Sequence, residues 1–79
     1  MVFEALVSYI AQNFDIDKED ITRETTFEQF RAESENIVDL YFEMSRRFDI
    51  IADEDDLYGI ETVGEMEALI KGLIAETEE

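Results

Sequence analysis

Ser34 is held between two carboxylates in the run RAESEN, residues 31 to 36, where an irregular stretch gives way to an amphipathic one. A serine hydroxyl in that position has two uses. It can accept a hydrogen bond from the unpaired backbone N–H groups of a helix start, as serine commonly does. It can also be the oxygen that receives an anionic group, which the positive end of a helix macrodipole favours by roughly 0.3 to 1 kcal/mol. Ser8 and Ser45 are placed for neither use, because one lies inside a helical stretch and the other near the end of a second.

What the chain lacks narrows the remaining chemistry. With no Cys and no His, it has no disulfide, no thiol nucleophile, no thiolate zinc site and no imidazole general base. Asn13, Asp15, Asp17 and Glu24 fall at the first, third, fifth and twelfth positions of a calcium loop. However, Lys18 stands where that loop needs Gly for its sharp turn, and Asp20 where it needs an apolar residue. The spacing therefore implies loose attraction of cations rather than a metal site. Neighbouring Asp and Glu pairs follow from composition in so acidic a chain, and none is marked out for acid–base work. No catalytic residue and no metal ligand is assigned.

The elements that must position Ser34 are helical. Phe3, Leu6, Val7, Ile10 and Phe14 recur at helical spacing and predict a first helix over residues 2 to 14. Ile37, Leu40, Tyr41, Met44 and Phe48 fall within a sector of roughly 100° and predict a second, from about 34 to 48. Thr62 and Glu65 form a capping box at the head of a third, with Val63, Met66, Leu69, Ile70 and Leu73 as its apolar stripe. Between the first two lies a stretch of roughly twenty residues without sustained period, a length that is often functional. Ile16, Ile21, Phe27 and Phe30 are its anchors. A short helical turn fits before Gly59, and Gly72, inside the third helix, is read as a point of close packing. The expected fold is all-α, a small four-helix bundle of three main helices and one short one, with a long loop between the first and second.

The 79 residues, 46% hydrophobic and 35% charged, suit one small soluble domain spanning residues 1–79. Twenty-two acids against six bases give a formal charge of −16. That charge repels nucleic acid and anionic lipid and favours basic protein surfaces. The beginning of the chain has no basic leader and the chain no apolar run long enough to span a membrane, so a cytoplasmic protein is expected; it is also expected to be a monomer. On the second helix Glu35, Asp39, Glu43 and Arg46 project on one face, opposite the apolar stripe. Phe42 lies at the edge of that face, where an aromatic beside an acidic stripe has the form of a docking anchor.

The order of these parts resembles that of an acyl carrier protein, over roughly residues 3 to 74. DIDKEDITRETTF is similar to the family's loop, with its Ile/Val, Thr and Phe anchors. SENIVDLYFEMSRRFDI is similar to its second helix, which ends in a Phe-Asp step, and IETVGEMEALI to the start of its last helix. The resemblance implies that the protein is a carrier and not an enzyme. It makes Ser34 the serine that receives 4'-phosphopantetheine from coenzyme A, whose terminal thiol holds an acyl group as a thioester. It also implies that Glu33, Glu35, Asp39, Phe42 and Glu43 meet basic surfaces of a phosphopantetheinyl transferase and of acyl-transfer or synthase enzymes in fatty acid or lipid synthesis. The family's run Gly-x-Asp-Ser-Leu reads RAESE here, with Arg31, Glu33 and Glu35 as departures. Those changes suggest a specialised carrier of a dedicated pathway. The alternative is an unmodified acidic interaction module of the same fold.

Overall fold

A computed structural model describes residues 1–77. Helix α1, Val2–Asn13, buries Val2, Ala5, Leu6, Val7 and Ile10. It stops where Phe14 turns extended, and the Asn13 side-chain amide donates to the Tyr9 carbonyl at 2.8 Å. Helix α2, Ser34–Phe48, buries Leu40, Tyr41, Met44 and Ser45 and carries Arg46 and Arg47 in its last turn, where the macrodipole favours cations. Helix α3, Val63–Thr77, buries Val63, Met66, Glu67 and Ile70. Each of the three packs against both others, and their apolar stripes meet in one core in which Leu6, Ile10, Tyr41, Met44, Met66 and Ile70 are fully enclosed.

Two expectations are revised. The short fourth helix is a single 3-10 turn, Glu54–Leu57, so the described residues hold three α-helices. The connection from α1 to α2, expected as a long loop, contains two more such turns, Lys18–Asp20 and Phe27–Phe30. It is held as the sequence suggested, by side chains turned inward. Ile21, Phe27 and Phe30 are buried, and Phe30 meets Phe14 and Phe27 edge-on at 5.1 and 5.8 Å between ring centres. Such pairs add about 0.5 to 1.5 kcal/mol each beyond burial.

The same connection is bonded to the head of α3. Thr26 and Thr62 form an isolated antiparallel bridge, and the Phe27 N–H donates to the Glu61 carbonyl at 3.0 Å. The Val63 and Gly64 N–H groups donate to the carbonyls of Thr25 and Arg23, at 3.0 and 2.9 Å. Gly64 allows this approach, because a Cβ there would lie 2.8 Å from the Arg23 carbonyl oxygen. Gly72, expected to mark close packing, is exposed and has nothing within 4 Å of where its Cβ would be. The close-packed glycine of α3 is Gly64.

Candidate functional site

Ser34 is placed by a turn, a reversal and a helix start in succession. Thr26 and Gln29 cap the Phe27–Phe30 turn reciprocally. The Thr26 hydroxyl accepts from the Gln29 N–H at 3.3 Å, and the Gln29 side-chain oxygen accepts from the Thr26 N–H at 2.7 Å. The turn ends at Arg31, whose left-handed backbone, φ 60°, redirects the chain. The Ala32 N–H then closes onto the Phe27 carbonyl at 3.0 Å, and Glu33, extended at φ −88° and ψ 172°, is the N-cap of α2.

Ser34 is therefore the first helical residue, one position inside the cap. The capping role open to it from sequence goes elsewhere: the Glu33 N–H donates to the Asn36 side-chain oxygen at 2.8 Å, and the Glu33 side chain makes no cap hydrogen bond. The Ser34 side chain is exposed, and among the described residues its hydroxyl takes no hydrogen-bond partner. The first N–H groups of α2 have no intrahelical acceptor, as at any helix start. The hydroxyl thus stands in solvent at the positive end of a fifteen-residue helix. By contrast Ser45 is buried and donates to the Tyr41 carbonyl at 2.8 Å, and Ser8 lies inside α1.

Two grooves flank this point. One, of about 400 Å³, is lined by Ser34 itself with Ile37, Val38, Leu57, Tyr58 and Ile60. The other, of about 570 Å³, runs past Phe27, Arg31, Ala32 and Glu33, and it shares Ile37 and Ile60 with the first. Ile37, read from sequence as part of the apolar stripe of α2, and Ile60 are half-buried and form the common apolar floor. The 3-10 turn Glu54–Leu57 forms part of the wall beside Ser34. It is tethered to α2 by the Tyr41 hydroxyl, which donates to the Asp56 carboxylate at 3.0 Å. Burial, reinforced by that bond, pushes the Tyr41 phenol up to about 12, so it stays protonated at neutral pH.

The acidic face of α2 has two parts. Glu33, Glu35 and Asp39 are exposed, and Phe42 is 41% exposed, its ring tilted against Tyr41 with centres 6.1 Å apart. Glu43 is half-buried and paired with Arg46 one turn on, so its charge is partly neutralised. Sequence reading placed Glu35, Asp39, Glu43 and Arg46 on one face, with Phe42 at its edge, but missed this pairing. It also gave no role to the groove floor or to the Tyr41–Asp56 tether. The left-handed Arg31 had a signal, since it occupies the place of the glycine in the run the family shares. Among the described residues no three acids converge as metal ligands.

Residues 4–70 match the phosphopantetheine attachment site family. The chain is also 31% identical over 71 residues to the acyl carrier protein of Lactobacillus acidophilus, an alignment covering 89% of each protein. A small helical carrier is thus the class that fold and comparison define, and the chain belongs to the acyl carrier protein family. Acyl carrier proteins are carriers rather than catalysts, and their attachment domain holds 4'-phosphopantetheine covalently. They work with phosphopantetheinyl transferase and with acyl-transfer and synthase enzymes. The exposed, unbonded hydroxyl of Ser34, beside grooves that share an apolar floor of Ile37 and Ile60, suits such an arm. No helix among the described residues is long and apolar enough to cross a membrane.

Proposed function

We propose that residues 1–79 form a single carrier domain that bears 4'-phosphopantetheine on Ser34 and passes a thioester-bound acyl intermediate between enzymes. The arm supplies the thiol that this Cys-free chain lacks. The observation that carries the reading is the Ser34 hydroxyl, exposed and free of hydrogen bonds at the first residue of α2. Its partners have basic docking surfaces and engage Glu33, Glu35, Asp39, Phe42 and Glu43. Phe42 is the apolar contact, and the exposed acids around it supply the charge that steers a basic surface in. The carrier is monomeric and cytoplasmic. It serves fatty acid or related lipid synthesis through a dedicated pathway, a reading supported by Glu35, which puts a charge where the family shows an apolar residue.

Intact mass after incubation of the apo protein with coenzyme A and a broad-specificity phosphopantetheinyl transferase tests the reading. The expected result is a gain of one phosphopantetheine by the wild type and none by Ser34→Ala. Failure of the wild type to gain it from several transferases would leave an unmodified acidic interaction module.

A further inference from the structure

We infer that Arg31 is the binding residue for the phosphodiester of the prosthetic arm, its guanidinium supplying the positive charge that the residues flanking Ser34 withhold. The inference rests on Ser34 being the attachment point.

The need is electrostatic. Between Arg23 and Arg46 the chain has one cation, Arg31, against Glu24, Glu28, Glu33, Glu35, Asp39 and Glu43. A phosphodiester on Ser34 sets a further negative charge between two exposed carboxylates of a chain that already carries −16. The positive end of α2 offsets part of that repulsion, but Glu33 at the cap and Glu35 in the first turn draw on the same field.

Arg31 is equipped to offset the rest. A guanidinium is always charged, and its planar fork matches two phosphate oxygens at once. Three residues span at most about 11 Å, a separation that an extended arginine and a modified serine side chain bridge between them. The side chain is exposed and uncommitted. Arg23, Arg46 and Lys71 each have a carboxylate partner, whereas Lys18 and Arg47, remote from Ser34 in the chain, have none among the described residues. Arg31 also has none within 4.0 Å among the described residues, although Glu28, Glu33 and Glu61 line the same groove.

The backbone adds an independent reason. At φ 60° Arg31 occupies a left-handed conformation that glycine adopts freely and arginine does not. Its N–H is held there by the Glu28 carbonyl at 3.0 Å. Asp49, at φ 55°, is the other described non-glycine residue in this region, and of the two only Arg31 is within a few residues of Ser34.

The test compares apo and holo forms of the full chain for the wild type, Arg31→Gly and Arg31→Lys. Intact mass first establishes one phosphopantetheine per holo chain; if the wild type gains none, the Ser34 reading fails visibly, and this inference falls with it. Melting temperature is then followed at low and at 1 M salt. Arg31→Gly is expected to melt higher than the wild type as the apo protein, because the backbone strain is relieved. On modification it should lose about 2 °C more than the wild type does at low salt. The excess loss should vanish at high salt, and Arg31→Lys should recover part of it. As a second readout, the Arg31 Nε–H resonance of the wild type, assigned by its absence from the Arg31→Lys spectrum, should shift on modification. Equal apo-to-holo changes in wild type and Arg31→Gly at low salt would overturn the inference. So would an Arg31 resonance that modification leaves in place, a result that needs only the wild-type protein.

Discussion

The heads of α2 and α3 are the same kind of structure put to opposite ends. Each follows an irregular stretch that ends in an extended residue. At α3 every local demand is met within the chain. The Thr62 hydroxyl accepts from the Glu65 N–H at 3.1 Å, and the Glu65 carboxylate accepts from the N–H groups of Thr62 and Glu61 at 2.9 and 2.8 Å. Those backbone bonds hold the Glu65 carboxyl below the usual carboxylate range. One turn further, nearly buried Glu67 takes Arg23 in a bidentate pair, at 2.6 and 3.1 Å, and Lys71 at 3.1 Å. The Arg23 guanidinium also lies 4.3 Å above the Phe3 ring, so it joins the connecting segment to both α1 and α3. At α2, by contrast, the cap is made through Asn36 alone, Ser34 has no partner, and the nearest cation is unpaired. A helix end whose groups are satisfied internally is a joint. One whose hydroxyl and cation are left over is available to something outside the chain.

Substitutions can break or sharpen that contrast. The largest effect is on modification. Ser34→Ala should abolish the gain of phosphopantetheine, yet change unfolding free energy by less than about 0.5 kcal/mol, because the hydroxyl supports nothing in the fold. A substantial loss of stability in denaturant would show Ser34 to be a structural residue after all. At the α3 head the opposite is expected. Gly64→Ala drives a methyl group into the Arg23 carbonyl and should cost about 1 to 3 kcal/mol, read as a lower midpoint in urea; an unchanged midpoint would mean that the two segments part easily.

Glu67→Gln should cost about 1 kcal/mol at neutral pH, with a pH signature. Hydrogen bonds from Arg23, and secondarily from Lys71, hold the Glu67 carboxyl below its ordinary value of 4.5. The stabilisation from a depressed carboxylate is fully present above that ordinary value and is lost as pH falls through the folded one. The gap between wild type and variant should therefore narrow in acid, and a gap constant from pH 7 to pH 3 would remove the ion pair from the account. The smallest effect lies further along α3. Gly72→Ala, in open space inside the helix, should gain about 0.5 to 1 kcal/mol, seen as a higher melting temperature.

The helices were legible because their information is local. Five apolar residues at three- and four-residue steps define a stripe within a dozen positions, and the Thr62–Glu65 box fixes an end by chemistry. The bounds expected for α2 and the start of α3 accordingly agree with the structure. The cap of α2 was not legible to one residue. Ser34 is the residue type that a helix entry prefers, yet the cap falls on Glu33, because the placement depends on the backbone angles set upstream at Arg31. Gly72 failed as a signal, and Gly64 was passed over, for a related reason. Both sit in the same helix, and only the position of the Arg23 carbonyl, supplied by a segment forty residues earlier in the chain, distinguishes Gly64 from Gly72. The Arg23–Glu67 pair, 44 residues apart, has no local trace. The short fourth element, read as one helical turn before Gly59, is a single 3-10 turn, because four residues do not sustain an α-helix.

Tyr41 gives the groove beside Ser34 a mechanical property. Its ring is wholly enclosed among the three helices, while its hydroxyl reaches out to Asp56 and fixes the turn that walls the groove. One rigid side chain thus spans from the centre of the protein to its rim. Moving the wall outward means either breaking that single bond or drawing the ring with it, so the width of the groove and the tightness of the interior are set by the same six-membered lever.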